Sequence, residues 1–263
     1  NLGFDNEYFR VNQKVSKSLT ERFFLERGDP KVHWNAGIHS ITLKVSIFRK
    51  IPLIFYAEHG ESLYGGSVLK KDSDKIKDLD EIYENNVGDD PVNWATDGIT
   101  LKDIQPYIMP DEKHLRKNKT IAYFFGYFED WDINKNYEYI KSKMNFSCHP
   151  DGRSPGTFTN FDSLDDDCDQ IYYYMQYIKF GFGRASRDGS RALQKNRITK
   201  EQFKNYIKSY DHEILTKDIL NFCEYCNITT SKFTEIVDKH RNDEIWSKTA
   251  NGWDLKNKVK DDA

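Results

Sequence analysis

Fifteen residues, Tyr177-Ile-Lys179-Phe-Gly-Phe-Gly-Arg184-Ala-Ser-Arg187-Asp188-Gly-Ser190-Arg191, hold the densest chemistry in the chain: four basic residues, three glycines, two serines and an aspartate. Glycine lets a backbone approach a ligand closely, and the arginine fork matches phosphate or carboxylate. The stretch reads as a grip for pyrophosphate or a nucleotide-sugar diphosphate, through Lys179, Arg184, Arg187 and Arg191. The competing reading is a basic loop paired with the acidic run from Asp162 to Asp169.

A second constellation is Tyr56-Ala-Glu58-His59-Gly60-Glu61-Ser62-Leu-Tyr64-Gly65-Gly66. It follows the apolar run Ile51 to Ala57, which reads as a strand covered on both faces. Ligands of open α/β sheets bind beyond the carboxyl ends of strands. Two acids there are placed to hold Mg²⁺ beside a nucleotide, and the same residues read equally as a polar, glycine-bearing turn. A third cluster, Gly126-Tyr127-Phe128-Glu129-Asp130-Trp131-Asp132, ends another apolar run. Asp132 reads as the N-cap of a following helix; Glu129 and Asp130 stay open. Cys223 and Cys226 share a helix face but lack a second pair or a histidine cluster, so they read as core residues holding no metal. Cys148-His149 is equally weak, and no Ser/His/Asp elbow, Walker loop or G-x-G-x-x-G fingerprint is present.

The elements that must position these residues follow from apolar spacing. Glu7 to Val11 is an expected short strand. Helices are expected over 13–26 and 36–49, the second with Ile38, Ile41, Val45 and Phe48 on its apolar face. Strands are expected at 51–57 and 120–128, a solvated loop or helix at 67–84, and a short helix over 101–109. After Asn134 the pattern turns helical, at 135–144, 165–180, 199–209, 216–226 and 230–240, with caps at Thr199 and Thr230. This alternation followed by helices predicts an α/β sheet and then a helical region.

Composition narrows the class. At 263 residues, 31% charged and 14% aromatic, the chain is globular. A net charge of -3 gives no general pull toward nucleic acid or an anionic membrane, so neither is an expected partner. Apolar runs stay well short of the ~20 residues of a membrane span. Four irregularly spaced cysteines make no disulfide framework, and the expected compartment is the reducing cytoplasm. The opening Asn1-Leu-Gly-Phe-Asp has no initiator Met and reads as a helix end running into a strand, so a fragment is expected.

Several motifs, in order along essentially the whole chain, carry a resemblance. They are Gly28-Asp29-Pro30; Ile51 to Ala57 with Glu58-x-x-Glu61-x-x-Tyr64-Gly65-Gly66; Gly126-Tyr127-Phe128-x-x-Trp131-Asp132; Gly156-Thr157-x-Thr159-Asn160; Lys179-Phe-Gly-x-Gly-Arg184-Ala; and Phe233-x-Glu-Ile-Val-Asp238-Lys-His-Arg241-Asn through Ile245-Trp246. In these the chain resembles the N-acetyl sugar amidotransferases of bacterial surface-polysaccharide and flagellin-glycan biosynthesis. The resemblance implies a PP-loop ATP pyrophosphatase: an incomplete Rossmann-like parallel sheet over 1–133, then a mostly helical region over 134–263. It implies that ATP activates the acetamido oxygen of a nucleotide-linked N-acetyl sugar, and that ammonia from a separate glutaminase, similar to that of histidine biosynthesis, displaces it to leave an acetamidino group. The implied cofactors are ATP and Mg²⁺. The expected catalytic residues are Glu58, Glu61, Lys179 and Arg184. The expected nucleotide- or substrate-binding residues are Tyr64, Gly65, Gly66, Trp131, Asp132, Arg187 and Asp188. Two departures stand out. The PP-loop, Ser-Gly-Gly-x-Asp-Ser, normally precedes the residue aligned with Asn1, which implies a fragment inactive alone. Lys31-Val-His33-Trp34-Asn35 stands where many relatives carry cysteines or a different histidine pattern. The alternatives are a non-catalytic subunit binding a nucleotide-sugar or a partner, and a PP-loop enzyme with another acceptor.

Overall fold

A computed structural model describes residues 3–57, 75–77, 87–96, 98–250 and 252–259. The expected site residues Glu58, Glu61, Tyr64, Gly65 and Gly66 lie outside the described residues, as does most of 67–84. The fold is α/β, mostly helical, with a small parallel sheet. It divides into two compact units, Asn1–Thr20 with Lys31–Trp131, and Glu21–Pro30 with Asp132–Ala263. Helix α1 (Gln13–Arg27) contributes to both. The Asn12 side chain caps its start by accepting from the Lys14 amide at 3.0 Å.

In the first unit, α2 (Val32–Arg49) leads into β1 (Leu53–Tyr56). After the short α3 (Leu101–Ile104) and α4 (Glu112–Asn118) comes β2 (Ile121–Phe124). β1 and β2 pair in parallel, Leu53 opposite Ile121 and Tyr56 opposite Phe124. Residues 75–77 extend the ladder on the other edge of β2: Phe124 donates to the Lys75 carbonyl and Lys77 to the Ala122 carbonyl, both at 3.0 Å. Because successive strand residues face opposite ways, Ile54, Ala122 and Phe124 are buried together while Leu53, Phe55 and Ile121 are exposed. The core holds Trp94, Ile104 and Tyr107.

Three expectations are corrected here. Glu7 to Val11 forms no strand; Tyr8 and Phe9 face solvent, and β-favouring residues without a partner ladder gain little from extension. The 101–109 helix is one α-turn followed by the 3-10 turn Gln105–Tyr107. The α2 face is inverted. Buried positions are Val32, His33, Ala36, Gly37, His39, Ser40, Leu43 and Ser46, whereas Ile38 and Phe48 are exposed. Hydrogen bonds decide this. Ser40 donates to the Pro106 carbonyl, Ser46 to the Ile51 carbonyl at 2.6 Å, and His33 Nε2 meets Ser16 Oγ at 3.1 Å. The two predicted strands are also shorter than expected, because the aromatic run after Phe124 enters the 3-10 turn Phe125–Tyr127.

The second unit contains α5 (Ile133–Lys143), α6 (Asp169–Phe180), α7 (Arg184–Gln194), α8 (Lys200–Tyr210), α9 (Thr216–Cys226) and α10 (Thr230–Lys239). An antiparallel hairpin follows, β3 (Trp246–Thr249) with β4 (Gly252–Leu255). Its core joins Phe24 of α1 to Ile171, Met175, Ile178, Phe222, Cys223, Cys226, Phe233, Ile236 and Val237. Thr199 forms the expected capping box with Gln202. The α10 cap is one residue earlier than expected, at Thr229. The glycine–arginine stretch, for which a basic loop was the competing reading, spans the end of α6 and most of helix α7.

Candidate functional site

The α6–α7 corner shows what each residue of the singled-out stretch touches. Gly181 ends α6 at φ +76°, in the left-handed region that favours glycine. Gly183 starts α7, and a Cβ there would lie 2.3 Å from the Asp211 backbone oxygen, so close backbone approach demands glycine. The Asp211 carboxylate then takes the place of an N-cap side chain. It accepts from the Ser186 amide at 2.7 Å, from Ser186 Oγ at 2.5 Å and from the Gly183 amide. Burial raises its pKa and these hydrogen bonds oppose the rise. One turn on, a Cβ on Gly189 would lie 2.4 Å from the Phe203 ring.

Arg184 is enclosed, at 3% exposure. It donates to Ser163 Oγ at 2.5 Å and lies 3.4 Å from an Asp188 oxygen and 3.7 Å from an Asp162 oxygen. Its guanidinium centre sits 4.4 Å from the Tyr173 ring centroid. Arg187 occupies the same ring at 4.9 Å and donates to the Tyr173 hydroxyl at 2.9 Å. Thr157, fully buried, donates to Asp188 at 2.8 Å, and Thr159 donates to Asp162. Burial pushes the Asp162 carboxyl above the usual range, Asp188 adds to the rise, and Arg184 opposes it. Arg184, Asp188, Asp162 and the Thr157/Thr159 hydroxyls thus form one polar network with Arg187 at its edge; the buried Arg184 Nε lies 3.4 Å from Asp188 but makes no hydrogen bond, so its charge is compensated by proximity to the carboxylates.

Beside it, Arg153 grips Glu213 through two bonds, at 2.6 and 2.7 Å, while Glu213 also accepts from the Gly156 amide at 2.7 Å. The Arg153 hydrogen bond is the main reason that the Glu213 carboxyl lies below its usual pKa. The Gly156-Thr157 segment is thereby fixed against α7. Spacing gave no signal for Arg153, Glu213, Asp211 or Tyr173, since their partners are 14 to 60 residues away.

Lys179 does not share the network. Its ammonium donates to the Arg27 carbonyl at 3.1 Å, at the end of α1; burial lowers its pKa and Asp29 opposes that. Lys239 donates to the Leu25 carbonyl at 3.4 Å, so two lysines meet the last carbonyls of α1. Gly28, at φ +61°, is pressed against His240, 2.9 Å from where a Cβ would sit. Asp132 caps α5, accepting from the Asn134 and Lys135 amides at 3.0 and 3.2 Å, and pairs with Arg197 at 2.7 Å. Trp131 precedes it, partly buried. Cys223 and Cys226 are buried in the apolar core. Among the described residues no group of three or more His, Cys, Asp or Glu side chains is placed to hold a metal, and Glu58 and Glu61 lie outside them. No helix among them is long and apolar enough to cross a membrane.

Residues 155–260, less than half of the chain, match the family described as LPS biosynthesis protein WbpG-like, C-terminal domain. The matched segment contains the α6–α7 corner, Asp211 and Glu213, and it points to LPS biosynthesis in general. A search of curated proteins gives no match.

Proposed function

We propose that this chain is part of an ATP-dependent amidotransferase of bacterial surface-glycan biosynthesis. It would convert the N-acetyl group of a nucleotide-linked sugar to an acetamidino group, with Mg²⁺ and with ammonia from a partner glutaminase. The observation that carries the reading is the LPS-biosynthesis match over 155–260, lying on the segment that holds the α6–α7 network. The parallel β1–β2 pair is compatible with a nucleotide-binding α/β unit. In the reaction, ATP makes the acetamido oxygen a leaving group, the ammonia nitrogen bonds to the same carbon, and the oxygen departs with the phosphate-bearing fragment. In this reading Arg184 is a positioning residue: it lies against Asp162 and Asp188, the two carboxylates that accept from the Thr159 and Thr157 hydroxyls. Full-length protein incubated with a UDP-linked N-acetyl sugar, MgATP and ammonium should yield a product with oxygen replaced by an NH group, seen by mass spectrometry. Absence of ATP-dependent product with folded protein and several such sugars would refute the reading.

A second reading, a non-catalytic binding subunit, is favoured by one observation: Arg184 and Lys179 already engage protein groups. It predicts nucleotide-sugar or partner binding without turnover in the same assay.

A further inference from the structure

At the carboxyl end of the β1–β2 pair lies a cluster of aromatic side chains to which the site above gives no task. Phe55 and Tyr123 are opposite one another in register, on the sheet face that is not buried. Phe125 and Phe128 stand edge-on to Phe55, with centroids 5.6 and 6.0 Å away. Phe128 is edge-on to Tyr123 at 5.6 Å and to Tyr127 at 5.2 Å. These are not core rings: Phe55, Phe125, Tyr127 and Phe128 are 41% to 49% exposed. Backbone pairing of residues 75–77 with β2 brings one cation to the cluster. The Lys75 ammonium lies 5.4, 5.7 and 6.0 Å from the Tyr127, Tyr123 and Phe128 ring centroids.

Three facts converge on one ligand chemistry. Carboxyl ends of parallel strands are where open α/β sheets bind ligands. Exposed rings supply stacking surface for a planar heteroaromatic group, and stacking tolerates any base. An ammonium held over the Tyr123, Tyr127 and Phe128 rings complements phosphate beside the stacking surface. We infer that the Phe55–Tyr123–Phe125–Tyr127–Phe128 cluster is a platform for the base of a nucleotide, with Lys75 facing its phosphates. The inference deepens the proposed function, on which it rests for the expectation that a nucleotide binds at all. The base could belong to the activating nucleotide or to the nucleotide-linked sugar, and the platform chemistry is the same.

The test titrates the full-length chain with uridine, UDP and ATP by calorimetry. Variants Phe128→Ala, Phe128→Leu and Lys75→Gln are compared after circular dichroism has verified folding. Phe128→Ala should weaken binding of UDP, ATP or both about tenfold, within the range measured for lost base–aromatic stacking. Phe128→Leu keeps apolar bulk but loses the ring face, so it should weaken binding similarly. Lys75→Gln should weaken UDP more than uridine. Loss for UDP alone assigns the platform to the nucleotide-sugar, and loss for ATP alone to the activating nucleotide. Unchanged dissociation constants in the folded Phe128→Leu protein, or no binding by wild type, would overturn the inference in favour of a face covered by protein, as parallel sheets ordinarily are. The two readings fail separately. Platform-dependent binding without acetamidino product refutes only the reaction; turnover with unchanged binding in Phe128→Leu refutes only the platform.

Discussion

Replacing Arg184 by alanine tests the geometry of the α6–α7 corner most directly. The side chain is 4% exposed and faces two carboxylates, Asp162 and Asp188, that are 17% and 12% exposed. Removing it leaves both acids buried with one nearby cation fewer, a change that costs about 3–5 kcal/mol when a buried ion pair is broken on one side. For a protein of this size each kcal/mol moves the melting temperature by about 2–4 °C, so a fall on the order of 10 °C is expected. The pH dependence has a definite sign. Burial already raises Asp162 above the ordinary value of 3.8 while Arg184 holds it down. The folded state binds this proton more tightly than the unfolded chain, so the associated stabilisation is complete below 3.8 and lost as pH rises through the raised value. Without Arg184 that raised value climbs further. The deficit of Arg184→Ala should therefore shrink as pH falls from neutral through the raised value, and adding Asp162→Asn should recover part of it at pH 7. Thermal unfolding of wild type, Arg184→Ala, Asp162→Asn and the double variant over a pH series is the assay. A deficit below about 1 kcal/mol, the level of an exposed pair, or one unchanged by Asp162→Asn, would refute the buried-network argument. Normal melting with lost turnover would return Arg184 to direct phosphate contact.

Further outcomes follow from other contacts. Gly183→Ala places a methyl against the Asp211 backbone and should cost about 1–3 kcal/mol by chemical denaturation, as overpacking does. His33 is held down to about 4 by burial first and Lys31 second, so its contribution is present above 6.5 and lost as pH falls toward 4. At ~1.4 kcal/mol per pH unit this is about 3 kcal/mol, and His33→Gln should remove that part of the acid sensitivity seen in urea unfolding. Asp132→Ala loses the α5 cap and the Arg197 bond, which should cost about 1–2 kcal/mol in calorimetry. Cys223→Ser puts a hydroxyl in the apolar core, which should cost about 1–3 kcal/mol with no change in metal content by mass spectrometry.

What could be read from the sequence divides along sequence distance. Helices α1, α8 and α9 and the caps of α5 and α8 depend on neighbours within a turn, and the spacing found them. The parallel strands were found as apolar runs, but their ends depend on where Phe125 and Phe128 find aromatic partners. Gly181, Gly183 and Arg184 look like a ligand grip because glycine and arginine serve tight protein corners equally well. Only knowledge of Asp211, Asp162 and Tyr173 separates the two uses. The α2 face was misread because Ser40, Ser46 and His33 bury themselves through hydrogen bonds, which apolar periodicity does not score. The β3–β4 hairpin has a readable signal in Asn251-Gly252, set between Trp246 and Trp253, which apolar spacing alone does not score.

The ends of α1 and α6 have a consequence for how the protein is made. The α1 carbonyls at Arg27 and Leu25 accept from lysines 152 and 214 residues further on, and the Ile178 carbonyl of α6 accepts from the Trp246 indole 68 residues later. A ribosome adding about 5–20 residues per second delivers Lys239 roughly 10–40 s after Leu25. Through that interval α1 must wait with its final turn incomplete. The ends of α1 and α6 are closed by residues made much later, so a chain released before Trp246 would leave the Ile178 carbonyl of α6 without its indole donor, and one released before Lys179 would leave the last carbonyls of α1 open to water.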